Sequence, residues 1–312
     1  MDKKKKIRVA LLAGGRSGER DVSLAGATGF TEAIDSEKYE IVCYDPKTDL
    51  AQLASDASEI DVAFILLHGT FGEDGTVQGY LDLLDIRYQG SGVLGSALAM
   101  DKNMAKKLYL LADIPVAKWE MAKVEDTKNP SRLIDTLGFP LVIKPIREGS
   151  SLGMSIAHNA QELTKGIQLA YEHDSQVMVE QFVEGREITV GVMGNDLPVP
   201  LPLVEIVPGK KFAFFDYEAK YRQGASTEIC PADVDEKITE QAKRYAVAAH
   251  KTLQLKGYSR TDMMLNEEGE LVVLETNTIP GMTPTSLFPQ AARAAGMNFT
   301  ELIDRLLMLA LE

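Results

Sequence analysis

Residues 257–286, GYSRTDMMLNEEGELVVLETNTIPGMTPTS, decide the reading of the chain. TDMML makes one arm of a β-hairpin, NEEG its turn and ELVVLETN the returning arm. With the turn centred between Glu267 and Glu270, Asn266 faces Leu271 and Asp262 falls directly opposite Glu275. Opposed side chains on antiparallel strands have Cβ atoms roughly 5 Å apart, and like charges there repel. Glu275 and Asn277 are two apart in sequence and share a face of their strand. Three oxygen ligands therefore converge on one side of the hairpin, with Arg260 nearby. That is poor chemistry for a bare sheet and good chemistry for Mg²⁺, a hard cation that takes carboxylate and amide oxygens and shares them with substrate phosphates. The same residues also read as an ordinary hairpin with a solvated acidic face.

Composition narrows the context. A chain of 312 residues accommodates two or three compact units. Its net charge of -13 argues against a general nucleic-acid surface, while leaving room for a local cationic pocket. KKKK at 3–6 reads as a solvated terminus. The two cysteines, Cys43 and Cys230, are far apart, lack metal-site spacing and read as free thiols of a reducing compartment. No apolar run approaches a membrane span. IRVALLAGG is a short buried strand rather than a signal peptide, so a cytoplasmic location is expected.

Upstream of the hairpin, strands alternate with helices. Ile7–Ala13 is a continuous apolar run of the kind found in parallel strands covered on both faces. The glycine turn GGRSGERDVS leads into a helix from about Val22 to Ile34. Its N–H groups offer a place for an anion, but its spacing is not GxGxxG, so no dinucleotide fingerprint is present. Glu19 and Arg20 lie in this loop, where open α/β sheets keep their ligands, or form a solvated pair. Strands at Tyr39–Tyr44 and Val62–Leu67 follow. The latter ends in HGTFGEDGT, where His68 meets a glycine loop able to approach a ligand or serves as a structural histidine, and a helix runs from about Thr76 to Leu84. A boundary is expected near 95, then one helix from Ser96 or Ala97 to Leu111. Lys102 sits near its positive end, a location that favours an anionic partner, or is an ordinary solvated lysine.

Further on, the strand LVIKP ends at Lys144. Loop 147–153, with Arg147, Ser150, Ser151, Gly149 and Gly153, has the composition to fold over phosphates, though it is not a P-loop. Its plain alternative is a flexible hairpin loop. Glu180 closes one strand-like run and Glu187 opens the next. Residues 214–230 read as an ordered loop or lid carrying Lys220 and Tyr221. An amphipathic helix spans Asp233–Leu255, and helices near 286–295 and 300–311 end the chain.

In this order, GGRSGERDVS, LHGTFGEDGT, MDK, VIKPIREGSSLGMS, the Glu180 segment, YEAKY, GYSRTD and ETNTIPGMT resemble the D-alanine–D-alanine ligases of the ATP-grasp superfamily. The resemblance covers nearly all of the chain after its lysine-rich start. It implies an α/β (α+β) ATP-grasp fold with an N-terminal Rossmann-like domain. The expected divisions are 1–95 for substrate binding, 96–185 for the central ATP-grasp part and 186–312 for the C-terminal part with the metal site. It implies that Lys102, Lys144 and Lys220 contact ATP phosphates beside Ser151. Glu180 with Gln181, Phe182 and Val183 lines the adenine pocket, and Glu187 reaches the ribose. Asp262, Glu275 and Asn277 hold two Mg²⁺, with Mn²⁺ as a substitute. Glu19, with His68 close by, receives the ammonium of the first D-alanine. Arg260 and the backbone at Gly281 serve the oxyanion, and Ser286 and Leu287 take the carboxylate of the second D-alanine. Glu19, Ser150 and Tyr221 form a hydrogen-bonded trio that closes the lid. Tyr221 points to a dipeptide product rather than a D-lactate ester, while D-serine as second substrate stays open. Ile146 stands where a serine often precedes the loop arginine, which leaves details of the nucleotide pocket open. A homodimer without nucleic-acid or membrane partners is expected.

Overall fold

The structure is a computed structural model that describes residues 5–149, 152–209 and 226–312. Ser150, Ser151, Lys220 and Tyr221 lie outside them.

The first apolar runs form a parallel sheet in the order β2-β1-β3, from β1 (Ile7–Leu12), β2 (Tyr39–Tyr44) and β3 (Val62–Ile65). Both faces are covered, as a continuous apolar strand requires. Ala10 and Leu12 pack on one side with Leu53 and Leu81, from α2 (Leu50–Asp56) and α3 (Thr76–Leu83). Val9 and Leu11 pack on the other with Phe30 of α1 (Arg20–Ala33). The same core takes in Leu302, Ile303, Leu306 and Leu307 of the final helix, Phe299–Leu311, so the end of the chain packs against its beginning. Burying one such Leu or Ile side chain is worth roughly 1.5–3 kcal/mol.

In the glycine turn after β1, the N–H groups of Gly14 and Gly15 are taken by acceptors of the chain itself. Gly14 N–H donates to Ser23 Oγ at 2.8 Å, and Gly15 N–H donates to Asp45 Oδ1 at 2.9 Å. Arg20 binds the other oxygen of Asp45 at 2.6 Å and holds that carboxyl down at about 2.

The single helix expected up to Leu111 is two, α4 (Val93–Met100) and α5 (Lys102–Leu111). Asp101 breaks the run. It is extended, and its side chain accepts the Met104 N–H at 2.9 Å, the geometry of an N-cap. Lys102 therefore opens α5 rather than lying inside a longer helix.

A second sheet, antiparallel and ordered β4-β7-β5-β6, combines β4 (Trp119–Met121), β5 (Leu141–Pro145), β6 (Ser155–Ala157) and β7 (Val177–Gln181). Leu141, Ile143, Val177 and Val179 pack on α6 (Ser131–Leu137) and α7 (Ala160–His173). Strand alternation turns Val142, Lys144 and Glu180 to the opposite face.

The third sheet runs β11-β10-β8-β12-β13, with β9 beside β8. Its strands are β8 (Arg186–Met193), β9 (Val199–Pro200), β10 (Val204–Pro208), β11 (Ser226–Ile229), β12 (Tyr258–Leu265) and β13 (Leu271–Asn277). Ile188, Val190, Met263 and Val273 pack on α8 (Glu236–Thr252), which starts where Asp235 caps Ile238 N–H at 2.8 Å. The chain closes with α9 (Leu287–Ala294) and α10, the helix Phe299–Leu311 already met. Among the described residues no helix is long and apolar enough to cross a membrane.

The hairpin register differs from expectation at the turn. Leu265 pairs with Leu271, and Asn266 exchanges hydrogen bonds with Glu270 rather than facing Leu271. A bulge between Asp262 and Met263 in the pairing then makes Leu274 the extra residue, and Asp262 does pair with Glu275. The bulge decides the chemistry. Leu271 and Val273 point into the core, so unbroken alternation would send Glu275 there too. One extra residue reverses the faces beyond it and places Glu275 and Asn277 beside Asp262 and Arg260.

Candidate active site

Two adjoining cavities meet at this hairpin. The first, about 470 Å³, lies between the second and third sheets. Val142, Ile156, Phe182, Met264 and Leu274 give it apolar walls. Lys102, Lys144, Glu180, Gln181, Val183, Glu187, Asp262 and Glu275 supply its polar groups. The second, about 430 Å³, is lined by Glu19, His68, Arg260, Glu275, Asn277, Gly281, Ser286 and Leu287. Glu275 borders both. Every expected site residue within the described segments lines one cavity or the other.

The β12–β13 face is densely paired. Arg260 donates to Asp262 through Nε at 2.8 Å and Nη2 at 2.7 Å. Asp262 also accepts the Thr189 hydroxyl at 2.6 Å and the Asn277 amide at 3.0 Å. Burial opposes the guanidinium charge of Arg260, but Asp262 outweighs it and raises the pKa. Lys102 lies 3.3 Å from Glu275 and donates to the Glu148 carbonyl at 2.8 Å. Behind the sheet Tyr109 donates to Thr276 at 2.7 Å, and Thr276 meets Thr261 at 3.0 Å, tying the hairpin to α5.

Deeper in the first cavity Glu180 is flanked by two lysines. Lys144 bonds to its Oε1, and Lys106 stands 2.6 Å from its Oε2. Burial alone would raise this carboxyl, but Lys106 and Lys144 overcome it and hold it at about 2.

In the second cavity Glu19 is buried beneath two glycines. A β-carbon on Gly149 would stand 2.9 Å from Glu19 Oε2, and one on Gly69 would stand 3.1 Å away. Burial drives the His68 imidazole towards its neutral form, against the pull of Glu19. Glu73 accepts the Gly69 N–H at 2.8 Å, and burial together with Glu19 pushes it up to about 8. At the far end α9 begins with no side chain capping it. Ser286 Oγ instead meets Thr283 Oγ1 at 2.7 Å and accepts the Thr283 N–H at 3.1 Å. An uncapped helix N-terminus facing a cavity is a natural carboxylate receptor.

Asp262, Glu275 and Asn277 form a hard-oxygen donor set on one face, which fits Mg²⁺ when phosphates complete its shell. Among the described residues no three His, Cys, Asp or Glu side chains gather as a self-sufficient metal cage.

The sequence matches the family described as "D-ala D-ala ligase C-terminus" over residues 108–308 and its N-terminal counterpart over residues 45–91. The chain belongs to the D-alanine–D-alanine ligase family. A D-alanine–D-alanine ligase of Desulfotalea psychrophila is 56% identical over 98% of this chain and 96% of its own length. One from Syntrophobacter fumaroxidans is 52% identical over 98% of both. The structure of the Bacillus anthracis D-alanine–D-alanine ligase complexed with ATP superposes with a TM-score of 0.85 at 34% identity, covering 98% of this chain and 97% of that one. The VanG D-Ala:D-Ser ligase of Enterococcus faecalis superposes at 0.84 and 33% identity, covering 98% and 100%. The architecture is the ATP-grasp fold of these ligases.

Sequence reading passed over Lys106, Glu73 and Thr189. Lys106 carried a signal: it lies four residues after Lys102, on the buried stripe of Ala105 and Tyr109. Glu73 sits five residues after His68 in the same glycine loop. Thr189 is an ordinary strand threonine, and only the β8–β12 pairing places it opposite Asp262.

Proposed function

We propose that the chain joins two D-alanine molecules into D-alanyl-D-alanine at the expense of ATP, releasing ADP and phosphate for peptidoglycan precursor synthesis. One observation carries this reading: the bulged hairpin aligns Arg260, Asp262, Glu275 and Asn277 on one face, where a cavity of about 470 Å³ with apolar walls and two lysines adjoins a smaller polar one.

The first cavity takes ATP. Its apolar walls enclose the adenine near residues 180–183, Glu187 serves the ribose, and Lys102 and Lys144 bind phosphate oxygens. Lys220 and Ser151, outside the described residues, join them. Asp262, Glu275 and Asn277 hold the Mg²⁺ ions, which when bound neutralise phosphate charge. The second cavity takes amino acid. Glu19, with His68 nearby, binds the ammonium of the first D-alanine, and Ser286 and Leu287 receive the carboxylate of the second.

The carboxylate oxygen of the first D-alanine attacks the γ-phosphorus and the bond to ADP breaks, leaving an acyl phosphate. The second D-alanine, as free amine, attacks that carbonyl carbon. Arg260 and the Gly281 backbone stabilise the oxyanion. The tetrahedral species expels phosphate, and the nitrogen loses its extra proton. Ser150 and Tyr221 with Glu19 form the closing trio, because water would hydrolyse the acyl phosphate. Ser150 is not a nucleophile in this scheme.

The division at 95 and 185 assigns one sheet to each of three domains, and two copies are proposed to pair as a homodimer in the cytoplasm. Sedimentation tests the pairing. The activity is tested by phosphate release with ATP, Mg²⁺ and D-alanine, D-serine or D-lactate, with mass analysis of products. Stoichiometric D-alanyl-D-alanine supports the reading. Nucleotide binding without D-alanine-dependent turnover sinks it, and preferential incorporation of D-serine reassigns the second substrate.

A further inference from the structure

Lys106 is wholly buried and lies outside the lining of either large cavity; burial pulls its ammonium towards the neutral form, and the Glu180 carboxylate opposes that. Such a charge is costly unless paired. Its surroundings form a built socket. Nζ stands 2.6 Å from Glu180 Oε2, donates to the Ala117 carbonyl at 3.3 Å and lies 5.4 Å from the centre of the Trp119 ring. Trp119 pairs with Glu180 across β4 and β7, and its indole N–H is fixed by Asn103 Oδ1 at 3.0 Å. Lys144 reaches the other oxygen of Glu180 from β5, where Val142 is the residue directly opposite Glu180. Lys144, unlike Lys106, lines the first cavity.

The two lysines are therefore unequal partners of one carboxylate. We propose that Lys106 is the standing counter-ion of Glu180, and that by holding this carboxylate it leaves Lys144 available to the phosphates of a bound nucleotide. Lys106 acts as a positioning residue: it does not touch the ligand and works through Glu180. Without it, Lys144 is the remaining flanking cation for a buried carboxylate, and a nucleotide must draw Lys144 away from that charge. The inference rests on the first cavity being the nucleotide site.

Calorimetric titration with ADP and Mg²⁺ tests it, alongside ATP kinetics and thermal melting. Lys106→Met is expected to weaken ADP binding and raise the KM for ATP by about tenfold or more, since losing one partner of a buried ion pair is expensive. The kcat at saturating ATP should change much less, a split that general loosening of the fold would not produce. Where Lys106→Met melts too low to assay, E180Q and E180Q/K106M make the comparison. With the carboxylate gone, removing Lys106 should leave ADP affinity within about twofold. Unchanged affinity in a folded K106M, or a tenfold loss between E180Q and E180Q/K106M, overturns the role. Failure of the wild-type protein to bind ADP at all would instead overturn the nucleotide reading of the cavity.

Discussion

Arg260 grips Asp262, two residues along the same strand, through two N–H donors at 2.8 and 2.7 Å. One residue is thus proposed for the oxyanion while it holds a residue proposed for the metal. The pair explains how a charged face stays stable between the sheets. It also implies that metal, nucleotide and guanidinium compete for shared contacts.

Removing the guanidinium should act on chemistry. Arg260→Met is expected to lower kcat by about 10²–10³, the loss typical of one oxyanion donor. Melting and ADP titration of the same variant separate this from the secondary cost of leaving Asp262 without its partner.

Metal affinity should depend on nucleotide. Asp262 is already bonded by Arg260, Thr189 and Asn277, and Glu275 lies 3.3 Å from Lys102. Mn²⁺ titration followed by electron paramagnetic resonance should show weak binding to the protein alone and at least tenfold tighter binding with ADP present. Equal affinity in both conditions would contradict the shared-ligand reading of the face.

Thr189→Val keeps the shape of the side chain and deletes the hydroxyl that donates to Asp262 at 2.6 Å. Groups that orient a metal ligand typically matter by about 10–100-fold in metal affinity. A loss of that size in the ADP-loaded protein is expected, with a melting temperature within a few degrees of wild type.

Acid stability carries a histidine signature. His250 is buried behind β12 against Ser259 Oγ at 2.8 Å, and burial lowers its pKa from 6.5 to about 4. Between these values the unfolded chain binds the extra proton, so stability rises with pH. The contribution is complete above pH 6.5 and is lost as pH falls towards 4, a span worth roughly 3 kcal/mol. His68 shifts in the same direction, whereas Asp45 and Glu180, each held near 2, lose their contributions at lower pH. Urea denaturation of wild type and His250→Gln from pH 4 to 7.5 isolates the term: the variant should show the shallower slope between 4 and 6.5.

The sequence exposed the site more faithfully than the elements that carry it. Asp262 stands opposite Glu275 as read, but for a different reason. The turn pairs Leu265 with Leu271, one step from the expected register, and the extra residue at Leu274 restores the match. A bulge has no signature in alternating Val and Leu, because either face of β13 accepts them. The interruption at Asp101 was legible in principle, since aspartate before a helical stripe is an N-cap signal. The closed glycine turn was not, because its acceptor Asp45 arrives from the end of a separate strand. Lys106 and Glu73 show the same limit: Glu180, which pairs with the first, and Glu19, whose charge raises the pKa of the second, are distant in sequence and come near only once the sheets and loops are packed.

The central claim is that ligation at the Arg260–Asp262–Glu275–Asn277 face proceeds through an acyl phosphate. The most direct measurement uses D-alanine carrying ¹⁸O in both carboxylate oxygens, with unlabelled ATP, and mass analysis of the phosphate released. Attack by the carboxylate on the γ-phosphorus predicts one ¹⁸O in each phosphate formed with D-alanyl-D-alanine. Dipeptide accompanied by unlabelled phosphate would contradict it.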